Sequence, residues 1–464
     1  MPGSTRYFTS SRVFSRATPS GAPATVEVDT ATGRVKRIHS GQAPDRKQLA
    51  ADAADEDWID VGDQWILPGL VDAHVHLNEP GRTEWEGFET GTAAAASGGF
   101  TTVIDMPLNA IPPTTTVENL KIKLDASHGK RHIDVGFWGG VIPDNADDLQ
   151  PLAREGVKGF KGFLCESGVD EFPGIKEEHV LRAMKELDAA KSLFLFHAEL
   201  DGSDHSHNEA DPASYSTFLA SRPPALEESA IDLIIRCAQQ FPALRTHIVH
   251  LSASSALPSL RHARKGLGLP LSVETCFHYL CLSAEQIAQG KTLFKCCPPI
   301  RDDANRELLW QALIDGDIDF VVSDHSPCTT ELKRLESGDF MKAWGGIGGL
   351  GLGLSLIWTE AHKRGIAMDK VLEWVASKPA KQVGLERQKG TIQEGGDADF
   401  VIFDPKETFT ITKDELHFKN RASPYEGLEL TGAVKATYLR GKRVYDRESG
   451  FTAGEAKLAG QLLL

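Results

Sequence analysis

Eight short runs of β-branched and other apolar residues alternate with longer segments of helical character between residues 66 and 394. This alternation is the pattern of repeated strand-helix units, and eight successive units favour a closed (β/α)8 barrel. The runs are VDAHVHL (71–77), TTVIDM (101–106), HIDVGFWGG (132–140), GVKGFKGFL (156–164), SLFLFHAE (192–199), RTHIVHLS (245–252), LSVETC (271–276) and DFVVSDHS (319–326). We therefore expect an α/β fold centred on a TIM barrel.

The two ends of the chain have a different pattern, in which strand-like runs are separated by turn residues. Examples are TVEVDTATGRVKRI (25–38), DADFVIFDP (397–405) and GAVKATYLRGKRVYD (432–446). Unpaired strands at either end would expose backbone donors and acceptors, so the two ends should pair with each other. We expect residues 1–65 and 395–464 to form one small β-sandwich-like domain beside a barrel of residues 66–394. The last residues, 455–464, are interpreted as a terminal helix or tail.

Composition excludes several functional classes. A formal net charge of −15 disfavours nucleic acid as a partner, because phosphate binding requires clustered Lys and Arg. The seven cysteines include no C-x-x-C pair, so a disulfide framework or a cysteine zinc site is disfavoured and a reducing, cytoplasmic location is expected. No run is long and apolar enough to cross a membrane.

The N-terminal stretch of residues 1–21 carries Arg6, Arg12 and Arg16, many Ser and Thr, and no acidic residue, which is superficially similar to a transit peptide. No apolar segment follows, and the next residues have the pattern of a hairpin. A structured start is therefore favoured, and a targeting role is left open.

A set of metal-ligating residue types falls near the ends of the predicted barrel strands. His74 and His76 alternate along one strand, so both side chains point to the same side and can reach one cation. A second H-x-H, at residues 205–207, stands in an acidic, turn-like stretch and is interpreted as a solvated loop. Four further candidates each follow a different strand: Lys161, His197, His250 and Asp324. Barrel active sites are built at this rim, so the joint pattern predicts a metal centre.

Each of these residues also has an ordinary structural interpretation. A single buried histidine is most often a hydrogen-bonding residue, and Lys161 alone resembles a surface lysine after a strand. Two neighbouring cations need an anionic bridge, however, and no Asp or Glu offers one in the sequence. A neutral lysine can react with carbon dioxide to form a carbamate, which would make Lys161 a two-oxygen bridging ligand.

The stretches GLVDAHVHLNEPGRTEWEGFETG, GFKGF, FHAE, VHLS and SDHSP together resemble the cyclic amidohydrolases, which include dihydroorotases, hydantoinases, dihydropyrimidinases and allantoinases. HLNEPGRTEWEGF, MPLNAIPPTTT, GFLCESGVDEFP and ETCFHYL are similar to the allantoinase branch. The resemblance implies two divalent ions, Zn²⁺ by default with Mn²⁺, Co²⁺, Ni²⁺ or Fe²⁺ as alternatives. It implies that His74, His76 and Asp324 bind one ion, that His197 and His250 bind the other, and that Lys161, as N6-carboxylysine, bridges them. A homo-oligomer, by resemblance a tetramer, is also implied.

The implied reaction is hydrolytic opening of the hydantoin ring of (S)-allantoin to allantoate in purine catabolism. A hydroxide bridging the two metals would attack the ring amide, with Asp324 as general base and then acid. Asn78 stands where dihydroorotases carry a carboxylate-binding Arg, which favours a neutral ring. Candidate substrate contacts are Asn78, Asn109, Cys165, Ser167, His278 and Cys297.

Two alternatives remain open. A hydantoinase or dihydropyrimidinase would share the fold and ligands, but dihydropyrimidinases usually place a tyrosine a few residues after the bridging lysine, where Glu166 stands here. A non-catalytic scaffold related to these enzymes is the other alternative, which a complete ligand set disfavours.

Overall fold

The computed structural model describes residues 5–41, 46–50, 54–200, 211–452 and 458–464. The second H-x-H, at residues 205–207, lies outside the described residues. A parallel barrel forms the centre of the molecule, as expected from the sequence. Its strands are Leu70–Val75, Phe100–Asp105, Asp134–Phe137 continued by Gly139–Gly140, Phe160–Phe163, Leu193–His197, Arg245–Ile248, Leu271–Cys276 and Phe320–Val322.

Parallel pairing runs around the barrel, with a change of partner in the third strand. Asp134–Phe137 pairs with the second strand, and Gly139–Gly140 pairs with the fourth. The barrel closes where the eighth strand meets the first. At this point the His76 amide donates a hydrogen bond to the His325 carbonyl at 2.8 Å. The fold class inferred from the sequence is therefore confirmed.

Helices cover the outside of the barrel. Asp303–Asp315 shows why they form: the Asp302 side chain accepts from the Asn305 amide at 2.8 Å and caps the start, and Gly316 ends the helix with φ of 79°. Trp310 of this helix is buried. The longer helices are Phe88–Ser97, Val117–Ala126, Ala146–Arg154, Glu177–Ala189, Tyr215–Ser221, Pro224–Ala238, Asp303–Asp315 and Gly353–Lys363. Shorter ones are Arg46–Leu49, Leu257–Arg261, Phe277–Cys281, Met368–Leu372 and Lys378–Gln382.

A nine-stranded sheet beside the barrel combines both ends of the chain. Its central strand, Trp65–Pro68, pairs parallel with Thr5–Val13 and antiparallel with Phe400–Thr410. The remaining strands are Ala22–Asp29, Arg34–Ser40, Trp58–Asp60, Glu429–Leu439, Lys442–Asp446 and Gly450–Phe451. A small β domain built from both ends is therefore confirmed, whereas the exact boundaries near residues 65 and 395 stay a prediction.

A buried ionic network joins this sheet to the base of the barrel. The Lys389 ammonium lies 2.6 Å from Asp134 of the third barrel strand and 2.8 Å from both Asp397 and Asp399. Arg440 adds a second cation, 2.6 Å from Asp134. Because the ions are paired and hydrogen-bonded, their burial is tolerated, and the network holds the two units in one arrangement.

The last described residues differ from the sequence-based interpretation. Leu462–Leu463 forms a strand, paired parallel with Val135 and Gly136, and not a helix. The third barrel strand changes partner at Phe137, which leaves backbone groups of its first half available, and the C-terminal residues satisfy them.

Within the described residues, no helix is long and apolar enough to cross a membrane. No disulfide bond joins any of the seven cysteines, all of which the structure describes.

Candidate metal centre

The six residues predicted as metal ligands converge on one cavity of about 340 Å³ at the carboxyl ends of the barrel strands. Each is positioned by a strand or by the residues directly after it, where parallel barrels place their active sites. Lys161 lies within the fourth strand and His197 ends the fifth. The cavity is lined by His74, His76, Lys161, His197, His250 and Asp324. The arrangement brings together residues that are up to 250 positions apart in the sequence.

Three of these side chains form a compact triad. The Nε2 atoms of His74 and His76 lie 3.2 and 3.4 Å from Oδ1 of Asp324, and the three ligand atoms lie within 4.8 Å of one another. Burial alone would raise the pKa of Asp324, but His74 and His76 hold it well below its usual range. The carboxylate is therefore ionised, and two imidazoles with one carboxylate are a suitable donor set for a divalent cation.

His197 and His250 lie beside this triad, with ring centroids 4.6 Å apart. Burial, followed by the neighbouring positive groups, lowers the pKa of His250 well below its ordinary value, so its ring is neutral. Nδ1 of His250 is buried and has no hydrogen-bond partner among the described residues. A neutral imidazole with an unsatisfied nitrogen is ready to act as a ligand.

Lys161 is the most unusual group in the cavity. Its side chain is buried, and its Nζ has no hydrogen-bond partner in the described part of the chain. Burial lowers the pKa of this amine to about 8, against the opposing effect of Glu274 and Asp324. The neutral amine is therefore more populated near neutral pH than in an exposed lysine, and the neutral form is the one that can react with carbon dioxide.

Strained backbone is concentrated in the same region. Four residues have positive φ angles, which residues other than glycine rarely adopt. They are Asn78 (61°), Asn109 (66°), His250 (38°) and Asp324 (43°). Two of these are proposed ligands and two are proposed substrate contacts. Such strain persists where the surrounding structure dictates side-chain direction, which is typical of functional sites.

Glu274 is a candidate supporting residue of the site that the sequence interpretation missed. It accepts hydrogen bonds from Nδ1 of His74 at 2.5 Å and from Nε2 of His247 at 3.0 Å. Burial would raise its pKa, but the two histidines outweigh burial and lower it to about 2. The carboxylate thereby fixes the His74 tautomer, with Nε2 turned toward Asp324. A single acidic residue inside the buried run 271–276 was the signal available in the sequence.

Glu199 has the corresponding role at His197. Its Oε2 lies 2.8 Å from Nε2 of His197, and the same oxygen accepts from Arg222. Burial would raise its pKa, but Arg222 and His197 lower it to about 2. Arg222, also missed from sequence, lines the cavity and places a permanent positive charge there.

Replacing Glu274 with glutamine is expected to lower metal affinity and kcat/KM by about 10- to 100-fold, the usual cost of losing a carboxylate behind a ligating histidine. The neutral amide has one acceptor oxygen, so it can accept from the His74 N–H or the His247 N–H but not from both, and neither ring keeps an anionic partner. Metal titration and steady-state kinetics check this result, with the partly buried Glu228→Gln, away from the cavity, as a matched control. Unchanged metal affinity would contradict the positioning role.

The predicted substrate contacts divide into two groups. Asn109, Ser167 and Cys297 line the cavity, whereas Asn78, Cys165 and His278 are buried beside it and are not among its lining residues. His278 and Asp324 place ligand atoms within 4.8 Å of each other, and both ring nitrogens of His278 lack hydrogen-bond partners among the described residues. These contacts stay predictions.

Comparisons with known proteins agree with this geometry. Residues 65–444 match the Amidohydrolase family. The chain is 50% identical to the allantoinase of Saccharomyces cerevisiae, over 92% of this chain and 93% of that one. It is 49% identical to the allantoinase of Streptomyces avermitilis, over 95% and 96%. A solved L-hydantoinase (dihydropyrimidinase) from Arthrobacter aurescens superposes with a TM-score of 0.88 at 26% identity, covering 98% and 99%.

Both the family match and the two relatives extend over most of the chain, so the likeness is not limited to one motif. The chain therefore belongs to the amidohydrolase family, in the branch formed by the allantoinases.

Proposed function

We propose that this chain hydrolyses the hydantoin ring of (S)-allantoin to allantoate, as a step in purine catabolism. The observation that carries the proposal is the complete set of six ligand-type side chains around one cavity. Its near full-length similarity to allantoinases supports this choice of ring among the cyclic amides. A scaffold protein would have no need for this complete set.

The residues present suit two divalent ions and a carboxylated lysine. Under the proposal, His74, His76 and Asp324 would hold one ion, His197 and His250 would hold the other, and Lys161, once carboxylated, would supply the anionic ligand between them. The unpartnered Nζ of Lys161 and Nδ1 of His250 support this assignment, because buried polar atoms normally have a partner. The donors do not select among zinc, manganese, cobalt, nickel and iron. Zinc, the tetramer and a cytoplasmic location stay predictions.

When bound, the divalent ions would supply an acidified water and polarise the ring carbonyl. Asp324 borders the cavity, so its carboxylate can accept a proton on attack and return it to the departing ring nitrogen. Glu274 and Glu199 keep the rings of His74 and His197 in one orientation. Arg222, which also lines the cavity, suits the carboxylate that forms when the ring opens.

Turnover of allantoin should be compared with that of dihydroorotate, hydantoin and dihydrouracil, with the protein loaded with zinc or manganese in bicarbonate and its metal content measured. We expect allantoin to be preferred by at least about 100-fold in kcat/KM, because the other rings leave polar groups of the site unpaired. Metal-bound protein that prefers hydantoin or dihydrouracil would favour the alternative of a hydantoinase or dihydropyrimidinase. No turnover and no bound metal would favour the scaffold alternative.

A further inference from the structure

We propose that two buried lysines, Lys295 and Lys333, fasten one wall of the cavity, residues 341–346, and thereby determine how tightly the substrate is held. Five residues of this wall line the cavity: Lys342, Ala343, Trp344, Gly345 and Gly346. The lysines act through the wall, so they are positioning residues. The inference rests on the proposed function and deepens it by identifying what shapes the substrate site.

Lys333 binds the C-terminal half of the wall. Its Nζ donates to the Trp344 carbonyl at 3.0 Å and to the Gly346 carbonyl by a shorter bond. The same segment is held through backbone bonds, since the Trp344 amide donates to the Leu332 carbonyl at 2.8 Å. Lys333 is 4% exposed, so water does not compete for these bonds.

Lys295 binds the N-terminal half in the same way. Its Nζ donates to the Ala343 carbonyl at 2.6 Å and to the Met341 carbonyl at 3.2 Å. Its own backbone carbonyl accepts from the Gly346 amide at 2.8 Å. The ammonium also lies 5.0 Å from the ring centroid of Phe218, a favourable cation–π distance.

Neither ammonium has an anionic partner: no carboxylate of the described residues lies within 4.0 Å of either. A buried cation without a counter-ion is costly, and burial lowers the pKa of both lysines, that of Lys295 to about 8. Main-chain carbonyls of residues 341–346 accept hydrogen bonds from both ammonium groups and thereby compensate the cost of burying them. Two buried lysines that both bind residues 341–346 are therefore better explained by a role in fixing that segment than by a contribution to overall folding stability.

The fastened wall is packed closely around the proposed substrate position. A Cβ on Gly345 would lie 3.0 Å from Sγ of Cys297, so the wall rests directly on that cysteine. The Trp344 ring packs edge-to-face on Trp85, with centroids 4.8 Å apart. Nε1 of Trp344 is buried without a partner among the described residues. Loosening the wall would move these groups but leave the six ligand residues in place.

The test uses full-length Lys295→Met and Lys333→Met, which keep an unbranched side chain out to Cε and remove the donating Nζ. We expect KM for allantoin to rise about tenfold or more while kcat changes by less than about threefold, the pattern of lost uniform binding. Hydrogen exchange should become faster at the Trp344 and Gly346 amides, and metal content should stay unchanged. Lys295→Arg, which retains N–H donors, should recover part of the KM. The exposed Lys291→Met is the matched control.

Unchanged KM with unchanged exchange at residues 341–346 would overturn the proposal. A parallel fall in kcat and metal content with faster exchange throughout the barrel would also overturn it, because that result indicates a purely structural role. If one Met variant does not fold, the other Met variant, compared with Lys295→Arg, decides by the same KM and exchange readouts. Hydrogen exchange at residues 341–346 is measured without substrate. A failure of the wall proposal is therefore distinguishable from a failure of the unaltered protein to hydrolyse allantoin.

Discussion

Lys161→Ala is expected to lower kcat/KM by about a thousandfold or more, because under the proposed ligand assignment the two ions would lose their shared anionic ligand and their mutual repulsion would no longer be compensated. The side chain is buried and its Nζ has no partner among the described residues, so the amine contributes little as a protein hydrogen-bond donor. Its loss should therefore reduce metal content more than it reduces folding stability.

Kinetics, metal analysis and thermal unfolding on the same sample separate these effects. Short carboxylic acids, which can enter the space left by the side chain and supply two oxygens, should restore part of the activity. The matched control is Lys158→Ala, three residues earlier and partly buried. A fully active Lys161→Ala enzyme with normal metal content would rule out the bridging role.

Asp324→Asn should retain most of the bound metal and lose about 10²- to 10⁴-fold in kcat, the usual contribution of a positioned proton-transfer group. The amide keeps one oxygen for coordination, but it cannot take up a proton and return it. The His74 and His76 ring nitrogens, 3.2 and 3.4 Å from the Asp324 oxygen, remain in place as the other two proposed ligands.

Single-turnover measurements locate the defect in the chemical step and not in binding. Asp319→Asn, directly before the same strand, changes a carboxylate to an amide away from the cavity and should keep the parental rate. Normal kcat in Asp324→Asn would show that another group moves the proton.

The barrel and the convergence of the six candidate metal ligands on one cavity were predictable because both follow from local patterns. Alternating apolar residues identify strands, and His74, His76, Lys161 and His197 stand near strand ends whose carboxyl termini must meet at one rim of a closed parallel barrel. No further information was needed to bring residues from five strands together.

The supporting residues were not predictable, because their roles depend on three-dimensional contacts and not on local sequence patterns. Lys295 and Lys333 resemble ordinary surface lysines in the sequence, and only the path of residues 341–346 across them gives them a role. Glu199 and Glu274 are recognised only through their contacts with histidine rings: Glu199 contacts His197, and Glu274 contacts His247 of the neighbouring strand and His74 of the first strand. The C-terminal strand was missed because its partner becomes available only where the third barrel strand changes neighbours.

The position of Trp65–Pro68 at the centre of the terminal sheet has a consequence for biosynthesis. Its second neighbour, Phe400–Thr410, is translated only after the whole barrel, on the order of tens of seconds later at ~5–20 residues per second. Throughout that interval the nascent N-terminal strands present an apolar edge with unpaired backbone groups. Chaperone occupancy should therefore be highest on ribosome-bound chains shorter than about 400 residues, and slow translation should favour aggregation over assembly.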